Sequence, residues 1–301
     1  MSSTTTGFVT APDGVRLHYE SMGDGARLVV APNGTYLRDE LAPLARNRRV
    51  VCFDLRNRGQ SDATDRGGIL EDVNDTFAVI NHFTDGPVDV IGHSFAALLV
   101  ALVARHHASR VRTAVMIGPL GMDPNREFAP PLSNRDETFD RVMRGLGALL
   151  PRQAEYEPEA FCRAAWDVLR PLYVTDPADA LRVRWERCEL PNERSAMRYF
   201  NAVTLPSIRA LTLSAGDFAL VQSPMLIVHG NKDRSAPYGG GREWAMALPN
   251  ARLLTVDGAG HAPWIEDPEC VLPAIASFLD GTWPDGAEQV TSLVPAIGDG
   301  R

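Results

Sequence analysis

The sequence predicts an α/β fold: a mostly parallel, doubly wound sheet with an all-helical segment inserted after the sixth strand. Two observations carry this prediction. Short apolar runs of strand length alternate with helical patterns in residues 7–119 and again in residues 224–280. Between them, residues 120–223 contain short helical patterns separated by prolines, without a clear strand pattern. Strands that alternate with helices are typical of a parallel sheet covered on both faces.

Each element is predicted from its local pattern. Residues 7–19 have the alternation and the Pro-Asp-Gly turn of a β-hairpin. Buried strands are predicted where short apolar runs end in turn-forming residues, at 27–31, 50–53, 88–91, 111–117, 225–228 and 252–256. Helices are predicted where apolar residues recur at helical spacing, at 38–46, 71–83, 95–104, 240–248 and 268–279.

Length and composition limit the possible functions. A chain of 301 residues suits one large domain with an insertion, which we expect to divide into a core (1–119 and 224–301) and a helical cap (120–223). The formal charge of −8 argues against binding to nucleic acid or to an anionic membrane, so we expect a small-molecule partner. The N-terminal residues lack the pattern of a signal peptide, and the four widely spaced cysteines predict thiols of a cytoplasmic protein.

The pentapeptide Gly-His-Ser-Phe-Ala at 92–96 joins an apolar strand to a long run rich in Ala, Leu and Val. A strand that turns into a helix over five residues strains the central residue and exposes its side chain. The positions two before and two after it must be small because strand and helix nearly touch there; Gly92 and Ala96 meet this need. The pattern therefore predicts that Ser94 is a nucleophile. A second match, centred on Ser61, lacks both the strand and the helix.

A serine hydroxyl becomes a nucleophile when an imidazole takes its proton and a carboxylate orients that imidazole. Among seven histidines, His261 is the best base because it lies in a glycine-flanked loop after the last parallel strand. His93 cannot serve, since neighbouring side chains at an elbow point apart. Asp233 is the predicted acid because it follows the strand before the last one, where ligands of such sheets bind. Asp217, before that strand, and Asp257, directly after the last strand, are the alternatives.

Taken together, these motifs resemble the α/β-hydrolase fold family over residues 7–119 and 220–280. The resemblance rests on the elbow and on three loops, His-Gly-Asn-Lys-Asp at 229–233, Gly-Ala-Gly-His at 258–261, and the Asp-Leu-Arg-Asn-Arg-Gly-Gln-Ser stretch at 54–61. The chain order Ser, Asp, His is also that of the family. Asn57 stands where a glycine is usual, and Asn33 where a histidine is usual.

The resemblance implies a serine hydrolase that needs no metal and no cofactor. It implies an oxyanion hole formed by the backbone N–H of Phe95 and that of Gly34 or Thr35. Unpaired donors and the dipole at a helix N-terminus favour negative charge, which agrees with this role for Phe95.

In the predicted cap, Trp185-Glu186, followed by Glu189 and Glu193, resembles the acidic cap of proline-iminopeptidase-like members, where a glutamate would hold the amino terminus of a substrate. We therefore regard Trp185, Glu186 and Trp264 as candidate substrate-binding residues. The alternative is that a helix with interleaved Arg and Glu is a solvated face and that the aromatic residues form the core of the cap.

The leading prediction is cleavage of a small ester, thioester, lactone or amide through an acyl-enzyme. The nearest alternative is an aminopeptidase of the proline-iminopeptidase type. Further alternatives on the same fold are carbon–carbon hydrolysis, perhydrolysis and a ligand receptor without catalysis. The pattern disfavours a dehalogenase, which would carry an aspartate in place of Ser94. The substrate and the oligomeric state stay open at this stage.

Overall fold

The computed structural model describes residues 4–294, and nine strands of this part of the chain form one sheet. The strands are β1 (Thr4–Thr10), β2 (Arg16–Met22), β3 (Arg27–Pro32), β4 (Arg48–Phe53), β5 (Val88–His93), β6 (Val111–Ile117), β7 (Met225–Gly230), β8 (Ala251–Val256) and β9 (Ala287–Glu288). Their order in the sheet is β1-β2-β4-β3-β5-β6-β7-β8-β9. The pairs from β4 to β8 are parallel, and β1, β2 and β9 pair antiparallel at the two edges. The predicted α/β fold is confirmed, with the short β9 as an addition.

Ten α-helices accompany the sheet in the described residues. They are α1 (Gly34–Leu41), α2 (Ile69–Phe83), α3 (Phe95–His106), α4 (Glu137–Leu149), α5 (Pro158–Leu169), α6 (Ala196–Tyr199), α7 (Leu205–Arg209), α8 (Tyr238–Ala247), α9 (Pro263–Glu266) and α10 (Pro268–Leu279). None of the helices between residues 4 and 294 is long and apolar enough to cross a bilayer.

The segment between β6 and β7, residues 118–224, is described throughout and contains no strand. Both of its ends pack into the main core, since Met122, Leu132, Ile208 and Phe218 belong to the apolar cluster around α3. The backbone N–H of Gly239 on α8 also donates to the Leu132 carbonyl at 2.9 Å. The central part of the segment carries α4, α5 and α6 and lies over the carboxyl end of β5, where its side chains share a cavity with Ser94.

The sheet order places the predicted site residues at one edge. Strands β5, β6, β7 and β8 are successive parallel neighbours, so their carboxyl ends lie side by side. Ser94 directly follows β5, Gly118 directly follows β6, Asp233 lies just after β7 and His261 lies just after β8. Residues that are far apart in sequence therefore converge where ligands bind in sheets of this kind.

The prediction of four free thiols is wrong for two cysteines, because Cys162 on α5 and Cys188 form a disulfide with a Cα–Cα distance of 5.8 Å. Cys52 is a buried free thiol and Cys270 a half-buried one. Disulfides are rare in cytosolic proteins, so this pair weighs against the predicted cytoplasmic location. The spacing of the two cysteines in the sequence does not indicate the disulfide, because only the fold of the helical segment brings them together.

We expect the paired substitution Cys162→Ser with Cys188→Ser to lower the free energy of unfolding by about 3 kcal/mol, since the 26-residue loop regains chain entropy when unfolded. Urea denaturation of the oxidised protein and of the variant measures this difference. Cys270→Ser is the matched control and should change the midpoint little. Equal free energies of unfolding for the double variant and the oxidised parent would show that the disulfide does not stabilise the protein.

Candidate active site

Ser94 stands at the turn between β5 and α3 with φ 60° and ψ −128°, a backbone region that favours glycine. The turn is tight because a Cβ atom on Gly92 would lie 2.1 Å from the carbonyl oxygen of Ala96. Behind the turn, residues 95–104 of α3 are all buried, which anchors the helix in the core. The Ser94 N–H donates to the Ile117 carbonyl at 2.9 Å and ties the elbow to the end of β6. The predicted strand–turn–helix geometry is therefore present.

Asp233 and His261 are fully buried and meet directly. His261 Nδ1 lies 2.7 Å from Asp233 Oδ2. The other carboxylate oxygen, Oδ1, accepts the backbone N–H groups of Ser235 at 2.7 Å and Ala236 at 2.8 Å. Because Nδ1 faces a carboxylate, it carries the ring proton, and Nε2 is left as the acceptor nitrogen. The structure thus brings together the acid and the base that the sequence predicts.

A second histidine, His229, also contacts the carboxylate. Its Nε2 lies 3.1 Å from Asp233 Oδ2 and 3.2 Å from the Ala236 carbonyl oxygen. Both neighbours are acceptors, so Nε2 carries the proton and donates. Sequence reasoning placed His229 at the end of a strand without a role; its position four residues before Asp233 is the only signal in the sequence.

The carboxyl of Asp233 is ionised despite its burial. Burial alone would raise its pKa, but the His261 ring, the donors of His229 and the two backbone N–H groups outweigh that cost and lower the pKa well below its usual range. Asp233 is therefore negatively charged at neutral pH and offers His261 a counter-charge.

Gly118 and His93 close the site around the imidazole. A Cβ atom on Gly118, which has φ +51°, would lie 3.0 Å from His261 Nδ1 and 3.4 Å from Asp233 Oδ2. His93 Nε2 donates to the His261 carbonyl at 2.8 Å, and burial lowers the pKa of His93 well below its ordinary value. His93 Nε2 is thus occupied by the backbone carbonyl of His261, and His261 stays the candidate base.

The two groups of the predicted proton transfer are both without a partner among the described residues. His261 Nε2 is buried and has no hydrogen bond to any described residue, and the Ser94 hydroxyl likewise has none. Such bonds are often long before substrate binds and tighten in the complex. The arrangement leaves Nε2 free to accept the proton of a hydroxyl at the elbow.

A cavity of about 430 Å³ opens in front of Ser94. Ser94, His93 and Phe95 form its floor, and the helical segment supplies mostly apolar walls, among them Leu146, Phe161, Trp166, Trp185 and Phe200. This volume falls within the range of pockets that bury a small organic molecule.

The candidate oxyanion donors differ in their surroundings. The N–H of Phe95, at the start of α3, and that of Gly34, at the start of α1, have no acceptor among the described residues. The Thr35 N–H donates to Asp54 Oδ1 at 3.1 Å. Of the two alternatives for the second donor, Gly34 is thus the one left available.

The three candidate substrate-binding residues take different places. Trp185 lines the cavity, and its Nε1 donates to Glu40 Oε1 at 3.1 Å. Trp264 stacks on Trp185 and packs edge-on against His93, behind the cavity wall. Glu186 does not line the cavity, because its carboxylate pairs with Arg170 at 2.6 Å. The prediction that Glu186 holds an amine is corrected on this ground.

The rejected alternatives have structural roles. The Ser61 hydroxyl donates to the Asp54 carbonyl at 2.6 Å and accepts the His18 N–H, which fixes the 54–61 loop. Asp257 accepts the Asn231 side-chain amide, and Asp217 pairs with Arg105. None of the three contacts His261.

Comparisons with known proteins show the fold family of this chain. A family profile described as alpha/beta hydrolase fold matches residues 32–268. The chain is 26% identical over 281 residues to a non-heme haloperoxidase of Rhodococcus erythropolis, covering 91% of this chain and 99% of the relative. It is also 26% identical over 292 residues to polyketide synthase ThaQ of Burkholderia thailandensis, but this match covers 92% of the chain and spans only 13% of that protein. An esterase structure from Exiguobacterium antarcticum superposes with a TM-score of 0.70 at 17% identity, covering 92% of this chain and 100% of the esterase.

Proposed function

Because this chain belongs to the α/β hydrolase fold family, we propose that it cleaves a small ester, thioester, lactone or amide with Ser94, His261 and Asp233 as its triad. The observation that carries the proposal is the ionised Asp233 bound to His261 Nδ1, with Nε2 unpartnered among the described residues and a strained serine that lines the cavity. Proton acceptor, counter-charge and nucleophile are the three parts that acyl transfer needs.

The reaction follows from this arrangement. His261 Nε2 takes the hydroxyl proton of Ser94 as Oγ bonds to the substrate carbonyl carbon, whose oxygen becomes negatively charged. When the tetrahedral intermediate collapses, the bond to the leaving group breaks and His261 returns the proton to that group. Water then attacks the acyl-Ser94 ester with His261 again as base, which releases the acid and regenerates the hydroxyl.

The negative oxygen of the intermediate needs donors that are already in place. We assign this role to the N–H groups of Phe95 and Gly34, which face no other acceptor in the described residues. One such donor contributes about 3–4 kcal/mol to the transition state.

The aminopeptidase alternative has less support, because Glu186 pairs with Arg170 outside the cavity and Glu193, which lines the cavity, pairs with Arg58. Perhydrolysis has one supporting observation, the haloperoxidase among the relatives at 26% identity. It uses the same acyl-Ser94 intermediate, attacked by hydrogen peroxide instead of water. The two reactions therefore share every residue assigned above and differ in the second nucleophile.

A panel of p-nitrophenyl esters and amino-acid naphthylamides tests the proposal. The protein should release p-nitrophenol from short-chain esters, and Ser94→Ala should abolish this release while keeping the unfolding temperature of the parent. Release of p-nitrophenol at the parental rate by Ser94→Ala would contradict the assignment of the nucleophile.

A further inference from the structure

A buried ion pair joins the core to the cap inside the cavity. Arg58, in the loop after β4, and Glu193, before α6, are 5% and 4% exposed and both line the cavity. Arg58 Nε lies 3.0 Å from Glu193 Oε1, and Arg58 Nη2 lies 3.0 Å from Oε2. Burial opposes both charges, but the mutual attraction outweighs it, raising the pKa of Arg58 and lowering that of Glu193. Both groups are therefore charged.

The carboxylate of Glu193 has no remaining capacity for a ligand. Besides the two bonds from Arg58, Oε1 accepts the Gly59 N–H at 2.8 Å and Oε2 accepts the Tyr36 hydroxyl at 3.2 Å. Four donors fill the lone pairs of a carboxylate. Glu193 thus holds the guanidinium in position and cannot also bind a substrate amine.

Arg58, in contrast, retains donors. Its Nε and Nη2 form the side-on fork with Glu193, so the two N–H groups of Nη1 point away from that carboxylate. Nη1 has no hydrogen bond to any described residue and is not among the enclosed unpaired atoms. The side-chain amide oxygen of Asn33, which lines the same cavity, also has no partner in the described chain, but it is an enclosed acceptor and cannot bind a carbonyl oxygen. Arg58 Nη1 is thus a charged donor that is open to a ligand in the cavity.

We propose that Arg58 Nη1 forms a subsite that binds a neutral carbonyl group of the substrate, beyond the carbonyl that Ser94 attacks. The inference deepens the proposed function and rests on it, since it takes the cavity in front of Ser94 as the substrate site. It narrows the substrate class to oxo-acyl compounds or compounds with a second ester or amide group.

The charge balance selects a neutral acceptor. Glu193 already compensates Arg58, so a substrate carboxylate bound at Nη1 would meet a guanidinium whose charge is balanced and would lie near the negative charge of Glu193. An ammonium group would face the Arg58 guanidinium without a free carboxylate. A carbonyl oxygen accepts the Nη1 hydrogens without adding charge, and a hydrogen bond from a charged donor is stronger than one between neutral groups.

Binding measurements on the full chain carrying Ser94→Ala test the subsite without turnover. The probes are N-phenylhexanamide, its 3-, 4- and 5-oxo derivatives, and the monoanilide of adipic acid, followed by isothermal titration calorimetry. At least one oxo derivative should bind about tenfold or more tightly than the parent anilide. Adding Arg58→Met with Glu193→Gln should abolish this gain, so that the oxo derivative and the parent anilide bind with the same Kd.

Two further variants keep the test decisive. Arg58→Lys preserves the ion pair with Glu193, and therefore the fold, but lacks Nη1, so it should also lose the gain. Arg198→Met removes an exposed arginine that lines the same cavity, and this variant should retain the gain in affinity of the oxo derivative. The proposal is wrong if no oxo derivative binds more tightly than the parent, if the gain survives Arg58→Lys, or if the adipic monoanilide binds best. Ester hydrolysis by the wild type together with any of these results would overturn the subsite and leave the proposed function standing.

Discussion

The substitution Asp233→Asn is expected to lower kcat by about 10⁴-fold, with the fold kept. In the parent, Asp233 Oδ2 fixes the proton of His261 on Nδ1. The asparagine oxygen will be held by the backbone N–H groups of Ser235 and Ala236, which now meet Oδ1, and its NH₂ group will face His261. A donor at that place forces the ring proton to Nε2, where it prevents acceptance of the Ser94 proton.

The measurement is kcat on the best ester of the panel, together with the unfolding temperature. Asp257→Asn is the matched control: it follows the neighbouring strand β8, is exposed, and binds only the Asn231 amide and no catalytic group. It should change kcat by less than an order of magnitude, as surface substitutions do. A larger effect for Asp257→Asn than for Asp233→Asn would show that the catalytic acid had been assigned to the wrong strand.

Gly118→Ala is expected to lower kcat by about 10²-fold, because the new methyl group displaces the catalytic imidazole. The added Cβ would lie 3.0 Å from His261 Nδ1 and 3.4 Å from Asp233 Oδ2. The ring therefore has no room to move on that side. Steady-state kinetics on the same ester measure the effect, with KM expected to change much less than kcat.

An alanine at the φ of +51° of Gly118 also costs backbone free energy, independently of its effect on the His261 ring. A substitution at a second glycine with positive φ measures this backbone cost alone. Gly281 has φ +95°, and a methyl group added there would meet no atom within 4 Å. Gly281→Ala should therefore lose about 1–2 kcal/mol of stability with an unchanged kcat. If both variants lost activity equally, general destabilisation and not displacement of His261 would explain the result.

The sequence predicts the elements that carry the triad because each depends on local chemistry. The elbow needs small residues at Gly92 and Ala96 and an apolar helix after Ser94, and all three features are visible within one short stretch. Asp233 and His261 could be chosen because parallel strands end at a common edge, so that their place after a strand implies their place in the fold.

The remaining parts of the site depend on contacts between distant segments, which no local pattern encodes. Arg58 and Glu193 are 135 residues apart in sequence and meet only when the helical segment folds over the core. The same holds for the Cys162–Cys188 bond within that segment. Glu186 illustrates the error that follows: its neighbour Trp185 does line the cavity, but Arg170 holds the carboxylate of Glu186 elsewhere.

Fluorophosphonate labelling followed by proteolysis and mass spectrometry tests the central claim most directly. A fluorophosphonate reacts with a serine whose hydroxyl proton an adjacent base removes, so it reports the nucleophile without knowledge of the substrate. The account predicts a single adduct, on the peptide that contains Ser94, and a much slower reaction in Asp233→Asn. An adduct on Ser61, or no adduct on the folded protein, would contradict it.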